Sequence, residues 1–397
     1  MPIAENVKNS LAASSMIRKM FEEGLVFKKK HGSDNVFDFS LGNPDVEPPT
    51  SFKNILLKLA NENEKGSHSY MPNAGYPHVR EVLAKKISKE QGVNIDGSSV
   101  IMTAGAAGGL NTVFKAICNP GDEIIVTRPF FMEYRVYAAN NQVKLIEVDA
   151  KDDFDLDLNA IKNALSGKTA AVLVNSPNNP TGKVYDACVL SDLSSLLTEY
   201  KEKTGRFPYL VSDEPYREIA YNIDVPPFLC CYSESIVVSS YSKNLSLPGE
   251  RIGYIAVNPA IQSREDVINA FIYCARALGF VNAPALMQRI VAQLTEERVD
   301  VSVYAGRRDA FMKVLDNAGI EYAVPQGAFY LFCRVPPRKN GKIEHDSDFT
   351  EHLKNYLILG VGGSSFGKSG WVRFAYCVDK KIIQASEGAF KKAMESW

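Results

Sequence analysis

The chain of 397 residues predicts an α/β fold, a mostly parallel sheet covered by helices, together with a smaller α+β domain. Three observations lead there. Short runs rich in Val and Ile recur from about residue 98, separated by longer segments with helical spacing. Strands alternating with helices imply a largely parallel sheet covered on both faces. After about residue 280 helix and strand signals fall into separate blocks, and the length exceeds one ordinary domain of roughly 150 residues.

The first 45 or so residues show no strand–helix repeat and are expected to pack with the C-terminal part. Strands are expected at Val100–Thr103, Glu123–Thr127, Val143–Val148, Ala170–Val174, Tyr209–Ser212 and Ile236–Ser239, with helices such as Gly108–Ile117 and Val189–Tyr200 between them. There follow expected helices Ala283–Leu294 and Val299–Asn317, a strand Tyr330–Val335, a helix near Phe349–Tyr356, a strand Trp371–Tyr376 and a last helix to Lys392. The expected division is a large domain of residues 46–280 and a small domain of 1–45 plus 281–397. In parallel sheets ligands bind at the carboxyl ends of strands, so polar residues just beyond the apolar runs are the candidates.

Composition excludes several classes of function. With 45 Lys plus Arg against 46 Asp plus Glu the formal net charge is −1, which leaves no basic excess for a nucleic-acid partner. No stretch reaches the 18 or so apolar residues of a membrane span, and the N-terminus lacks the apolar core of a secretory signal. The cysteines at 118, 188, 230, 231, 274, 333 and 377 are odd in number and contain no CxxC pair. They read as reduced core residues of a cytoplasmic protein, and no metal site is expected.

The string from Gly362 to Ser369 satisfies GxxxxGK[ST] in full. A phosphate-binding loop needs a helix directly after its Lys and Ser, whereas Trp371–Tyr376 reads as a strand, so a P-loop NTPase is the remote alternative. A second constellation carries more chemistry. Lys243 follows an apolar strand, Asp213 ends another, and Asn179 lies just beyond a third, each about one strand–helix unit from the next. If those strands are neighbours, an amine, a carboxylate and an amide converge on one sheet edge. This set, with Tyr216 three residues after Asp213, suits pyridoxal phosphate. A lysine amine forms an imine with its aldehyde, a carboxylate keeps the pyridine nitrogen protonated, and Asn and Tyr bond its 3-hydroxyl. The phosphate needs donors, which the strand-to-helix turn at Gly105, Ala106 and Ala107 offers as free N–H groups. Ser240 and Arg251 add a hydroxyl and a guanidinium fork. The turn lacks GxGxxG and a ribose-reading acid, against a dinucleotide site.

Four strings in register, NSPNNPTG (175–182), SDEPY (212–216), SYSKNLSLPGERIGY (240–254) and WVRFAY (371–376), resemble the class I and II aminotransferases of the fold type I pyridoxal-phosphate enzymes. The resemblance runs from SLGNPD (40–45) to the last strand. It implies that Lys243 binds the cofactor aldehyde and shuttles the substrate α-proton, that Asp213 pairs with the pyridine nitrogen, and that Tyr216 and Asn179 bond the 3-hydroxyl. Phe131 would stack on the cofactor ring, and Tyr70 would reach the phosphate of a neighbouring subunit, implying a homodimer with shared sites. Arg373, with Gly42 and Asn179, would grip the α-carboxylate of an amino acid or keto acid substrate. The Gly362–Gly367 turn becomes the glycine-rich loop ahead of the Arg373 strand. Ala107 stands where one branch carries a lysine for a second substrate carboxylate, and Arg276 cannot be placed in register with the arginine of the other branch, so the donor stays open. A β-eliminating cysteine-S-conjugate lyase would use the same groups and remains the alternative within the fold. A pyridoxal-phosphate-sensing regulator would need a DNA-binding extension, for which about 40 residues before SLGNPD are too few.

Overall fold

The computed structural model describes residues 3–5, 7–8, 16–62, 65–339 and 345–397. The strands, in chain order, are β1 (Phe37–Asp38), β2 (Val100–Thr103), β3 (Glu123–Arg128), β4 (Lys144–Asp149), β5 (Thr169–Asn175), β6 (Tyr209–Asp213), β7 (Ser235–Ser240), β8 (Gly253–Val257), β9 (Tyr322–Ala323), β10 (Tyr330–Arg334), β11 (Ile358–Leu359), β12 (Val361–Gly362) and β13 (Trp371–Ala375). Seven of them form one sheet in the order β2-β8-β7-β6-β5-β3-β4. Each of the six apolar runs expected there is a strand, and β3 to β7 pair in parallel. The exception is β8, which runs antiparallel to both β2 and β7 and was not expected. Its sequence, Gly253-Tyr254-Ile255-Ala256-Val257, is a short fully buried run that lies in a stretch otherwise legible for its polar groups.

Period-two alternation builds the core on both faces of this sheet. Val100, Met102, Val172, Val174, Val237 and Ala256 enter one apolar cluster, while Ile101, Ala171, Leu173, Ile236, Val238 and Ile255 enter the other. Helices close both sides. The helix Ala187–Thr204 shows how local sequence sets its limits: the Asp186 carboxylate accepts from Val189 N at its start, and Gly205 ends it in the left-handed conformation at φ 69°. A cap of this kind contributes about 1 kcal/mol.

A second sheet has the order β12-β13-β10-β9, and β1 pairs in parallel with β11. Strand β1 and the residues after it thus join the C-terminal part, as Ala375 N donating to Phe39 O also shows. Residues 1, 2, 6 and 9–15 of the expected N-terminal contribution lie outside the described residues. A third apolar cluster gathers here, from Phe39 through Tyr216, Phe311, Phe329 and Phe374 to Phe390.

Several boundaries differ from expectation for local reasons. The helix expected over 283–294 is Ala285–Val291, entered through Pro284. The helix expected from Val299 starts at Val301, because Asp300 caps it by accepting from Ser302 N. The helix near 349–356 is Asp346–Lys354, capped by His345, and the last helix is two, Lys380–Ala385 and Glu387–Ser396, divided at buried Ser386. All seven cysteines are unpaired thiols, but core burial holds only for Cys274, Cys333 and Cys377. Cys118 and Cys231 are half-buried, and Cys188 and Cys230 are exposed. Cys188 falls off the buried Val189, Leu190, Leu193 stripe of its helix, and Cys230 occupies a surface turn whose buried member is Leu229. Among the described residues no helix is long and apolar enough to cross a membrane.

Candidate active site

The carboxyl ends of β5, β6 and β7 bring the predicted polar groups together. Asn175, the last residue of β5, lies in register with Asp213, the last residue of β6. Its side chain ties two candidates: Nδ2 donates to Asp213 O at 2.8 Å, and Oδ1 accepts from Asn179 N at 2.7 Å. Asn175 was missed as a site residue although it opens the NSPNNPTG string, because an amide at a strand end reads as ordinary.

Asp213 is buried. Its Oδ2 accepts from the Tyr134 hydroxyl at 2.6 Å, while its Oδ1 is buried without a hydrogen-bond partner. Burial raises the carboxyl to about 7, opposed by the Tyr134 hydrogen bond and helped by the charge of Glu214. A buried polar atom without a partner costs about 1–3 kcal/mol, and a protonated ring nitrogen placed against Oδ1 would satisfy it. Tyr134 itself was missed. It lies three residues beyond Phe131, and Phe131 is half-buried with its ring edge-on to Tyr134 at 5.6 Å.

Lys243 lies in the turn after β7 and donates to Gly42 O at 3.0 Å. The rings of Phe329 and Tyr216 stand 5.5 and 5.9 Å from its Nζ. Burial of the ammonium lowers its pKa to about 8, with the charges of Arg373 and Arg251 acting the same way and Cys377 opposing. As a residue Lys243 is of intermediate burial.

Arg373, in the middle of β13, is 1% exposed. Its Nη1 donates to Asn179 Oδ1 at 3.0 Å and its Nη2 to Ser40 O at 2.7 Å. Its Nε is buried without a partner, and the Tyr330 and Phe366 rings lie 4.4 and 4.8 Å from the guanidinium. Among the described residues no carboxylate pairs with it, which suits the charge of an incoming carboxylate. Tyr216 meets the second missed tyrosine, Tyr330, at 2.7 Å between hydroxyls. Nothing in the run Ala328-Phe329-Tyr330 distinguishes a site tyrosine from a core one.

The glycine-rich turn opens the helix Gly105–Ile117, whose N-cap, Ala104, offers no side-chain cap. Gly105 has φ +71°, which favours glycine, and a Cβ there would stand 2.7 Å from Arg251 Nη2 and displace the guanidinium from the turn. Arg251 is in the left-handed conformation itself and bonds Pro248 O at 2.9 Å. Ala106 and Ala107 remain partly accessible, and Ser240 is buried at the end of β7. The first N–H groups of this helix and Arg251 could together hold a phosphate. Tyr70, expected to act on a neighbouring subunit, is 96% exposed, and Arg276, which the sequence left unplaced, is exposed in the last turn of the helix Arg264–Ala277.

The P-loop string is resolved. Gly363–Phe366 is a single 3-10 turn followed by β13, with no helix after Lys368 and Ser369. The buried Asp346 carboxylate accepts from Ser364 N, Ser364 Oγ, Ser369 Oγ and Gly370 N at 2.9, 2.7, 3.0 and 3.3 Å, filling the place a phosphate would need. Residues 362–367 carry Phe366 onto Arg373 instead.

Comparison with known proteins agrees with this geometry. The family model for aminotransferase class I and II matches residues 34–385. The aspartate/prephenate aminotransferase of Thermus thermophilus is 30% identical over 376 residues, covering 92% of each chain. The probable aspartate aminotransferase of Methanocaldococcus jannaschii is 28% identical, covering 91% of this chain and 94% of its own. Among solved structures, an amino transferase from Eubacterium rectale superposes with a TM-score of 0.94 at 34% identity, covering 100% of this chain and 99% of its own. Thermus thermophilus aspartate aminotransferase with maleate gives 0.85 at 26%, covering 98% and 99%. The chain belongs to the class I and II aminotransferases, pyridoxal-phosphate enzymes that move an amino group between an α-amino acid and an α-keto acid.

Proposed function

We propose that the strand-end cluster is the active centre of this aminotransferase, with Lys243, Asp213 and Tyr216 as its catalytic residues. The observation that carries the reading is that Asp213 Oδ1 and Arg373 Nε are both buried without hydrogen-bond partners. Bound pyridoxal phosphate supplies an aldehyde and a protonated ring that draws electrons from the substrate α-carbon. The chain's residues then divide the work. Asp213 Oδ1 would hold the ring N–H proton, the Asn179 amide and the Tyr216 hydroxyl would hold the 3-oxygen, and Phe131 would supply an apolar ring beside the cofactor ring. Gly105, Ala106, Ala107, Ser240 and Arg251 hold the phosphate. Arg373 orients the α-carboxylate beside Gly42 and Asn179, which sets the α-hydrogen toward Lys243. With its pKa lowered to about 8, Lys243 carries a neutral fraction near neutral pH and would serve as the base that moves the substrate α-proton.

Tyr70, exposed in this chain, suits a contact to a second copy, so we assign a homodimer with shared sites. We divide the chain into residues 46–280 and 1–45 plus 281–397, which puts Lys243 in the first unit, donating to Gly42 O of the second, and Arg373 in the second. A cytoplasmic location fits seven unpaired thiols. Relatives named aspartate aminotransferases favour a dicarboxylate donor, but Ala107 supplies no second cation.

A panel of amino acids assayed with several keto acids tests the reading. Amino transfer to the keto acid is the expected result. Release of pyruvate and ammonia from a β-substituted amino acid, without transfer to any keto acid, contradicts it and favours the lyase.

A further inference from the structure

We propose that Tyr330 is a positioning residue for this chemistry: its hydroxyl donates to Tyr216 Oη and so turns the Tyr216 proton toward the cofactor's 3-oxygen. The inference rests on the function proposed above and deepens it. Two buried phenols whose oxygens lie 2.7 Å apart share one proton along that line, and the phenol that donates it has none left for another partner. If Tyr216 donated to Tyr330, it would offer the cofactor only lone pairs. If Tyr330 donates, Tyr216 keeps its proton for the site and the bond is strengthened along the chain of hydroxyls.

The surroundings favour the second arrangement. The Arg373 guanidinium lies 4.4 Å from the Tyr330 ring centroid, which makes Tyr330 the more acidic phenol and the better donor. Burial pushes Tyr330 up to about 12, opposed by Arg373 and by the Tyr216 hydrogen bond, and burial with the Tyr330 neighbour holds Tyr216 well above the usual tyrosine value although Arg373 lowers it too. Other titratable groups facing the pair are Cys377, Lys243 and Tyr134. The place for the hydroxyl is also built. An ideal Cβ on Gly42 would stand 2.0 Å from Tyr330 Oη, so the pair exists only because residue 42 is glycine, the residue whose carbonyl accepts from Lys243. Asn179 follows the same logic: its Oδ1 is occupied by Arg373, which leaves its N–H groups as donors.

The test is a pH titration of the visible absorption of cofactor-loaded protein, a readout independent of turnover. Tyr330→Phe keeps the ring against Arg373 and removes only the hydroxyl. It is expected to raise the titration midpoint by about one pH unit, since a weaker donor stabilises the deprotonated 3-oxygen less. Tyr216→Phe is expected to raise it at least as far, and Tyr330→Phe added to Tyr216→Phe to raise it no further. Gly42→Ala, which displaces the Tyr330 hydroxyl sterically, gives a second route to the same upward shift if Tyr330→Phe does not fold. A midpoint unchanged in Tyr330→Phe, or a full shift that persists without the Tyr216 hydroxyl, overturns the proposal. Wild-type protein that acquires no visible band with pyridoxal phosphate overturns the functional reading beneath it as well.

Discussion

Two regions of this chain carry glycines, serines and a lysine in an arrangement that suits an anion, and they differ in what satisfies their polar groups. Around Lys243, Asp213 Oδ1 and Arg373 Nε are buried without partners, and the helix Gly105–Ile117 starts without a side-chain cap. Around Lys368, the Asp346 carboxylate already takes two backbone N–H groups and two hydroxyls. Matching a motif does not separate them, since the second region fits its string better than the first. Their carboxylates do: Asp213 Oδ1 is buried without a partner, whereas both Asp346 oxygens are filled, and native folds rarely leave a buried polar atom unpaired.

The unmet groups should cost stability, and the pH dependence of the cofactor-free chain exposes that cost. Between about pH 4 and 7 folded Asp213, raised to about 7 from 3.8, keeps a proton that the unfolded chain has released, so its contribution falls as pH rises. Between about pH 8 and 10.5 folded Lys243, lowered to about 8 from 10.5, lacks a proton that the unfolded chain keeps, so its contribution rises. These two groups therefore place a stability minimum between about pH 7 and 8. Asp213→Asn is expected to remove the acid-side fall, on the order of 4 kcal/mol at pH 7, in chemical denaturation of the cofactor-free protein. A variant that tracks the wild type from pH 4 to 7 would mean that Asp213 is already satisfied.

Smaller effects sharpen the contrast between the two lysine-bearing turns. Arg251→Ala removes a charge-assisted donor of about 1.5–3 kcal/mol, so pyridoxal phosphate affinity should fall about 10- to 100-fold, measured by equilibrium dialysis. Lys368→Ala should change it by no more than about twofold. Equal losses in both would erase the distinction between an open cradle and a filled one.

The sheet was legible because Val and Ile runs in a parallel sheet are nearly continuous and unmistakable, whereas β8 escaped because its reversal of direction has no local signature. Lys243, Asp213 and Asn179 were legible as chemistry at strand ends, whereas Arg373, in the middle of β13, was legible only through the family resemblance. Tyr134 and Tyr330 were not, since a phenol among Phe residues looks like core until its hydroxyl is seen beside Asp213 or Tyr216. Asp346 was invisible for a related reason: its partners lie 18 to 24 residues away, and only the folded chain shows that it fills the false P-loop. The cysteines show the reverse error, because an apolar neighbourhood in sequence did not guarantee burial for Cys188 or Cys230.

We propose that Lys243, and not Lys368, is the lysine that receives pyridoxal phosphate. Loading the purified protein with the cofactor, reducing with borohydride and mapping the attached mass by peptide sequencing tests it directly. The label is predicted on the peptide containing Lys243, at one per chain. A label on Lys368, or none on the Lys243 peptide, would contradict the account.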